Sequence, residues 1–108
     1  MNLEDLQLKA GAAERLLKAM ASRPRLMILC ELLKGEQTVT ALHQAVGLSM
    51  SAMSQHLARL RADQLVSTRR ESQTIFYALS NEAAKQMIET LYTIFCSRSA
   101  AGSGDARR

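Results

Sequence analysis

Apolar side chains recur every three or four residues along five stretches of the chain, and this spacing predicts amphipathic helices. The first helix spans residues 4–20. One of its faces carries Leu6, Ala10, Ala13, Leu17 and Met20. Ser22 is placed to cap a second helix, with Pro24 just inside it. We expect this helix to run to about Leu33 and to end at Gly35 in a left-handed conformation.

A third and a fourth helix follow in close succession. Thr38 or Thr40 caps the third helix, which ends at Gly47. Its inward-facing positions are Val39, Leu42 and Val46. Ser49 opens the fourth helix. A short helix, a glycine-containing turn and a second helix form the pattern of a helix-turn-helix.

Two runs of strand-like composition come next, at 66–70 and 74–79, joined by three polar residues. Ser80 or Asn81 then caps a last helix that reaches about Cys96. Its apolar stripe comprises Ala84, Met87, Ile88, Leu91, Ile94 and Phe95. This stripe is too wide for one small core. The fold class predicted is therefore mainly α with a small β-hairpin.

Length and composition add the domain organisation. A chain of 108 residues forms one domain, which we expect over 1–96. Ser, Ala, Gly and Arg dominate 97–108, so a disordered tail is predicted there. No apolar run approaches the ~18 residues of a membrane span, and the acidic N-terminus is not a signal peptide. We therefore expect a cytoplasmic protein with no membrane partner. The net charge of +4 suits a polyanion such as DNA.

The fourth helix has an apolar and a polar side. At about 100° per residue, its apolar positions share one sector that should anchor it in the core. They are Met50, Met53, Leu57 and Leu60. The polar side combines short side chains, which let the helix approach base edges, with Gln and Arg, which pair with bases or phosphates. Ordinary solvated helices also carry such faces, but the helix-turn-helix pattern and the basic hairpin favour DNA binding.

Roles follow from side-chain chemistry. We expect Ser and Gln on the helix to read bases, and Arg on the helix and hairpin to contact phosphates. His56, about 80° from the core sector, either contacts phosphate or hydrogen-bonds at the edge of the helix interface. The candidate contacts to double-stranded DNA are Ser49, Ser51, Ser54, Gln55, His56, Arg59, Arg69 and Arg70.

Several segments resemble the ArsR family of bacterial winged helix-turn-helix repressors. They are SQHLARLR at 54–61, Arg69-Arg70, FYAL at 76–79 and RLMIL at 25–29. The resemblance covers roughly residues 10 to 96. It implies a homodimer that binds an imperfect palindromic operator, with the first and last helices at the dimer interface. Such an interface would account for the wide apolar stripe of the last helix.

Two positions depart from the family pattern. Met50 stands where the family often has Gln, so one base or backbone contact is expected to be missing. Gln64 stands where Gly commonly ends the recognition helix, so a slightly strained turn into the hairpin is expected. Neither departure threatens the fold.

Many relatives in that family sense metals through Cys, His, Asp or Glu on the third or last helix. Here the third helix has a single His43 and no thiol. The last helix has no His, and its Glu82 and Glu89 lie seven positions apart. We therefore expect neither a metal site nor a cofactor.

The only two cysteines are the alternative sensor. Cys30 and Cys96 lie on helices expected to pack together, although each alone could be a small core residue. They are 66 positions apart, as in the sulfide- and redox-responsive subgroup of the family. The resemblance implies a dithiol switch. Attack of one thiolate on a low-molecular-weight persulfide or another oxidant would link the two cysteines and release DNA.

Other functions stay open. A DNA-binding regulator or anti-silencer without thiol sensing has the same interface, and a metal-responsive repressor is a third reading. An enzyme is not expected, because a thiol-redox enzyme would need a Cys-x-x-Cys motif and a βαβ pattern that the sequence lacks. A purely structural dimerisation module would lack the salt-dependent DNA binding that the basic hairpin predicts.

Overall fold

The structure, a computed structural model, describes residues 2–96. They form five helices and a small antiparallel sheet. The elements are α1 (Leu3–Met20), α2 (Arg23–Leu32), β1 (Gln37–Thr38), α3 (Val39–Val46), α4 (Met50–Ala62), β2 (Val66–Glu71), β3 (Thr74–Leu79) and α5 (Glu82–Phe95). This is the winged helix-turn-helix fold that the sequence predicts. None of the described helices is both long enough and apolar enough to cross a membrane. The predicted tail, 97–108, lies outside the described residues.

Each helix begins at a short polar residue whose side chain accepts a hydrogen bond from the first turn. Ser22 and Ser49 cap α2 and α4 as predicted. Thr38, rather than Thr40, caps α3 through the backbone N–H of residue 41, at 3.1 Å. Asn81, rather than Ser80, caps α5. These caps satisfy backbone donors that a helix leaves without an intrahelical partner.

The two predicted glycine ends of helices differ in outcome. Gly47 has φ +85° and ends α3 in the left-handed conformation that Gly adopts without strain. Gly35 does not cap α2 directly. That helix ends at Leu32 and closes with tighter three-residue-spaced bonds, including one from the N–H of Leu33 to the carbonyl of Cys30. Gly35 follows with φ +128° and only redirects the chain.

The sheet contains a third strand that the sequence pattern did not indicate. β1 pairs with β3, so the strand order is β1-β3-β2 and all neighbours are antiparallel. Tyr77 of β3 lies opposite Gln37 on one side and Thr68 on the other. A two-residue strand is too short to show an alternating pattern. Because β1 leads directly into α3, this pairing attaches the helix-turn-helix to the hairpin.

The core gathers residues from all five helices and from the start of β2. It comprises Ala19, Met20, Ile28, Leu29, Leu32, Leu42, Met53, Leu57, Leu60, Leu65, Val66, Ala84 and Ile88. The predicted sector of α4 is confirmed at three of its four positions. Met50 is the exception, because it is 46% exposed. It is the first residue of α4 and lies ahead of the turn that meets the core.

Two helices keep apolar side chains outside this core. Of α1, only Ala19 and Met20 are buried, so most of its predicted apolar face is open to solvent in the single chain. In α5, Ala84 and Ile88 are buried, whereas Phe95 is 72% exposed. The apolar stripes of both helices therefore extend beyond what one chain covers.

Candidate nucleic-acid interface and thiol pocket

The polar side of α4 faces solvent, opposite the side chains that anchor the helix in the core. Ser51, Ser54, Gln55 and Arg59 are all exposed. Their neighbours on this face are short, so the helix can approach a nucleic-acid groove closely. The division of α4 into a core side and an open polar side is therefore as predicted.

Ser49 has a local structural task. Its hydroxyl accepts the hydrogen bond from the N–H of Ala52 at 3.1 Å and lies 3.4 Å from the Ser51 hydroxyl. The side chain fixes the first turn of α4. That places it at the start of the polar face, where the backbone N–H groups of a helix N-terminus favour phosphate.

His56 is half-buried and hydrogen-bonds to a side chain of α2. The Arg25 guanidinium lies 3.4 Å from His56 Nδ1, and because a guanidinium can only donate, the imidazole accepts. Arg25 also donates from Nε to the carbonyl of Ala19 at 2.6 Å and from Nη2 to that of Lys18 at 3.4 Å. One side chain on α2 thus joins the end of α1 to α4. Of the two sequence readings for His56, the structure places the hydrogen bond at the helix edge.

The role of Arg25 is one that the sequence analysis missed. Arg25 falls within the RLMIL segment that carries the family resemblance, and this was the available signal. The last carbonyls of a helix have no intrahelical donor, so the guanidinium supplies one to the carbonyl of Ala19 and shares the carbonyl of Lys18 with the N–H of Ala21.

Arg69 on β2 is held by carboxylates. Its Nε and Nη2 bond Glu36 at 2.9 and 2.8 Å, and its Nη1 lies 3.6 Å from Glu71. The guanidinium carbon also lies 4.5 Å from the centre of the Phe76 ring. The hydrogen bonds from Arg69 lower the pKa of the Glu36 carboxyl. Arg69 is therefore paired within the protein when no DNA is bound.

Arg59 and Arg70, the other two predicted phosphate contacts, lie in surroundings different from those of Arg69. Arg59 pairs with Asp63 one turn along α4, with 2.8 Å between Nε and Oδ2. Arg70 is exposed and, as the next residue of β2, points to the opposite face of the sheet from Arg69. The structure thus spreads the three arginines over α4 and both faces of the hairpin.

The two cysteines line a single pocket between α2 and α5. The thiol pocket is lined by Leu26, Cys30, Ile88, Leu91, Tyr92, Phe95 and Cys96. Its volume is about 180 Å³. Cys30 is half-buried, Cys96 ends α5 in an exposed position, and no disulfide joins them. Burial, and to a lesser degree the neighbouring Cys96, raises the pKa of the Cys30 thiol.

Potential metal ligands are scattered over residues 2–96. Within that part of the chain, no three His, Cys, Asp or Glu side chains are grouped closely enough to hold a metal ion. His43 instead hydrogen-bonds through Nδ1 to the carbonyl of Leu48, at the turn between α3 and α4.

The bacterial regulatory protein family arsR matches residues 15–68, which include the helix-turn-helix. The chain belongs to the ArsR family. It is similar to the transcriptional activator HlyU of Vibrio cholerae, with 51% identity over 96 residues that cover 89% of each chain. The predicted family is thereby confirmed, and this ArsR-family chain is a transcriptional regulator of a group that binds operator DNA.

Solved structures agree with the fold. The reduced form of HlyU from Vibrio cholerae superimposes with a TM-score of 0.83 at 49% identity, covering 87% of this chain and 99% of that one. The transcriptional repressor BigR from Xylella fastidiosa superimposes with a TM-score of 0.84 at 40% identity, covering 90% and 99%. The likeness of this ArsR-family regulator therefore extends over nearly the whole described region.

Proposed function

We propose that this chain is a homodimeric repressor that binds a palindromic operator and releases it when Cys30 and Cys96 become linked by a persulfide or another oxidant. The observation that carries the proposal is that both cysteines of the chain line the thiol pocket. One lies on α2 and the other at the end of α5. A covalent link between them would join two helices that pack against each other.

The DNA-binding part rests on α4 and the hairpin. In this proposal α4 lies in the major groove, where Ser51, Ser54 and Gln55 read base edges. Phosphate contacts come from the arginines Arg59, Arg69 and Arg70. Ser49 and His56 fix the start and the inner edge of α4 rather than carry sequence readout.

The dimer is supported by apolar surface. Exposed apolar side chains concentrate on α1 and toward the end of α5, and large exposed apolar patches mark interaction surfaces. On the face of α1 that carries Leu17, and at the end of α5, they are Leu3, Leu6, Leu17, Tyr92, Ile94 and Phe95. A second copy of the chain would cover α1 and α5 and bring two copies of α4 to one face, as an operator with two half-sites requires.

The switch is a shift between two states of the dimer. Linking α2 to α5 changes how the dimer presents its two copies of α4 to DNA. A differential affinity of ~1–3 kcal/mol between the linked and thiol states corresponds to about 5- to 150-fold weaker operator binding. That range is enough to relieve repression.

The test begins with an operator selected in vitro from random duplexes by the fully reduced protein. The protein is then treated with glutathione persulfide or hydrogen peroxide, and both DNA affinity and the mass of the peptides containing Cys30 and Cys96 are measured. We expect a linked peptide and weaker binding together. Cys30→Ser and Cys96→Ser variants should bind the operator with unchanged affinity and no longer respond.

Two outcomes would overturn the proposal. One is persistent release of DNA from a doubly substituted Cys30→Ser, Cys96→Ser protein after persulfide treatment. The other is equal operator affinity of the linked and thiol forms, which would leave a regulator without thiol sensing.

An anti-silencer is a second candidate, because one similar protein is described as an activator. Its contacts to DNA are the same as those of a repressor. A reporter gene behind the selected operator, transcribed with purified polymerase alone, separates the two. A repressor lowers transcription in that system, whereas an anti-silencer leaves it unchanged until a silencing protein is added.

A further inference from the structure

Most of the large apolar side chains that are exposed lie on α1 and α5. Within residues 2–96 the exceptions are two methionines, Met27 on α2 and Met50 on α4, which are 43% and 46% exposed. Isolated exposed apolar side chains are common on protein surfaces, so exposure alone gives neither of them a role. Met50 differs from Met27 in its position, because it is the first residue of the helix that carries the candidate DNA-reading face.

The first turn of α4 holds the backbone of Met50 in place. The hydroxyl of Ser49 accepts a hydrogen bond from the N–H of Ala52 at 3.1 Å, and the carbonyl of Ser49 accepts one from the N–H of Met53 at 2.8 Å. Met53 is buried and anchors this turn in the core. Met50 therefore lies between a helix cap and an anchored turn, and its backbone needs little further ordering when DNA binds.

Met50 lies beside a candidate base-reading side chain. Ser54 follows it by four residues, and positions four apart are neighbours on a helix surface. Both side chains are exposed. Side chains of a helix tilt toward its N-terminus, and the N-terminal residues of a recognition helix are those that contact base edges. The thioether of Met50 is therefore placed among the groups that meet the bases.

We propose that Met50 is a specificity-determining residue that contacts the 5-methyl group of a thymine in the major groove. The inference rests on the placement of α4 in that groove, which is part of the proposed function, and adds a base contact of a different chemical kind. Each half-site of the operator then contains one thymine that is read by the Met50 of one protomer.

The chemistry of the methionine side chain selects thymine. A thioether has no hydrogen-bond donor and is only a weak acceptor, so it is poorly suited to the polar groups of a base edge. Thymine is the only one of the four bases that presents an apolar group, its 5-methyl, in the major groove. The unbranched and polarisable side chain adapts to the shape of such a surface. Contact removes apolar surface of both groups from water and so favours thymine at this position.

The experiment removes the methyl group alone. In the operator selected by the fully reduced, full-length protein, each thymine is replaced in turn by deoxyuridine at the same position of both half-sites. Deoxyuridine keeps the hydrogen-bonding groups of thymine and lacks only the 5-methyl. Affinity is measured by fluorescence anisotropy. We expect a position at which the replacement weakens binding about fourfold for each half-site, the effect of losing one buried methyl group.

Three variants assign the contact to Met50. Met50→Ala should bind the thymine and deoxyuridine operators with equal affinity, and the comparison forms a double-mutant cycle. Met50→Leu keeps an apolar side chain and should keep a preference for thymine. Met27→Ala is the matched control, because Met27 is similarly exposed but lies outside α4, and it should keep the full preference. Urea denaturation should show little change in stability for either alanine variant, since both positions are exposed.

The outcomes separate this inference from the proposed function. If no thymine shows a methyl dependence, or if Met50→Ala keeps the dependence, the inference is wrong and α4 can still read DNA through its polar side chains. Loss of the dependence in Met27→Ala as well would also overturn it, because the effect would not be specific to Met50. If neither Gln55→Ala nor Met50→Ala changes the sequence preference, α4 does not read the major groove. The inference then fails together with that part of the proposed function.

Discussion

Cys30 combines partial burial with a nearby second thiol, and both raise its pKa. Only the thiolate reacts with electrophiles, so a raised pKa leaves less reactive sulfur at neutral pH. We predict that iodoacetamide labels Cys30, measured in the Cys96→Ser variant, with a half-maximal rate at higher pH than a cysteine-containing peptide. Burial, the larger cause, persists in that variant. A half-maximal labelling rate at the same pH as the peptide would contradict the raised pKa of Cys30.

Glu36 competes with DNA for Arg69. The carboxylate holds the guanidinium through two hydrogen bonds, so phosphate binding requires that pair to open. We predict that Glu36→Gln strengthens binding roughly two- to fivefold at low salt. The dependence of binding on salt should also steepen by about one phosphate contact. Fluorescence anisotropy of a labelled operator measures both quantities.

The control for this prediction is Glu71→Gln. Glu71 lies in the same hairpin and loses the same charge, but its carboxylate is 3.6 Å from Arg69 and makes a looser contact. We expect a smaller change than for Glu36→Gln. Weaker DNA binding by Glu36→Gln would mean instead that the pair serves to hold the hairpin in place.

At the scale of elements, Arg25 fixes how α1, α2 and α4 meet. Hydrogen bonds that involve a charged group contribute about 1.5–3 kcal/mol each. We predict that Arg25→Gln lowers the free energy of unfolding by about that amount and weakens operator binding, because α4 loses its link to α1. Urea denaturation and anisotropy report the two effects. Arg23→Gln, exposed on the same helix, should change neither the stability nor the affinity appreciably.

The helices and their caps could be predicted from the sequence because each carries its own local signal. Ser22, Ser49 and the 3.6-residue periodicity specify their elements without help from distant residues. The predicted burial of Met50 was wrong because periodicity assigns a residue to a face of the helix but does not show where along the helix the core begins. β1 was not predicted because two residues form a strand only when a neighbouring strand, here β3, lies beside them.

The candidate site was predictable to different degrees. The polar face of α4 follows from periodicity, and Gln64 indeed adopts φ +63°, as expected where the family often has Gly. The meeting of Cys30 and Cys96 rested on the resemblance, since nothing local indicates which helices pack. The pairing of Arg69 with Glu36, 33 positions apart, has no local signal at all.

For the whole molecule, the open apolar face of α1 decides whether one chain is sufficient. Leu17 lies on this face, and Leu8 lies nine residues earlier, about 180° around the helix. We predict that Leu17→Glu raises the dimer dissociation constant about tenfold or more, because it places a charge in the interface. Leu8→Glu, at an 83% exposed position, should leave the dimer intact. Sedimentation equilibrium distinguishes the two results.

If both variants remain dimeric, α1 is not the interface and the dimer must form through another surface. If both become monomeric, the apolar face is wider than the periodicity indicates. A loss of dimer in Leu17→Glu alone should bring weaker binding to the full palindrome, with little change for a single half-site.

The absence of tryptophan has an optical consequence. The chain emits only through Tyr77, in the sheet, and Tyr92, in the wall of the thiol pocket. Because there is no tryptophan to accept energy from them, both tyrosines can be observed by their own fluorescence. A newly formed sulfur bridge beside Tyr92 should quench the emission of Tyr92 and leave that of Tyr77 unchanged. A Tyr92→Phe variant should then show no change on bridging. The tyrosine emission of the regulator would thus follow formation of the sulfur bridge in real time, with neither label nor DNA added.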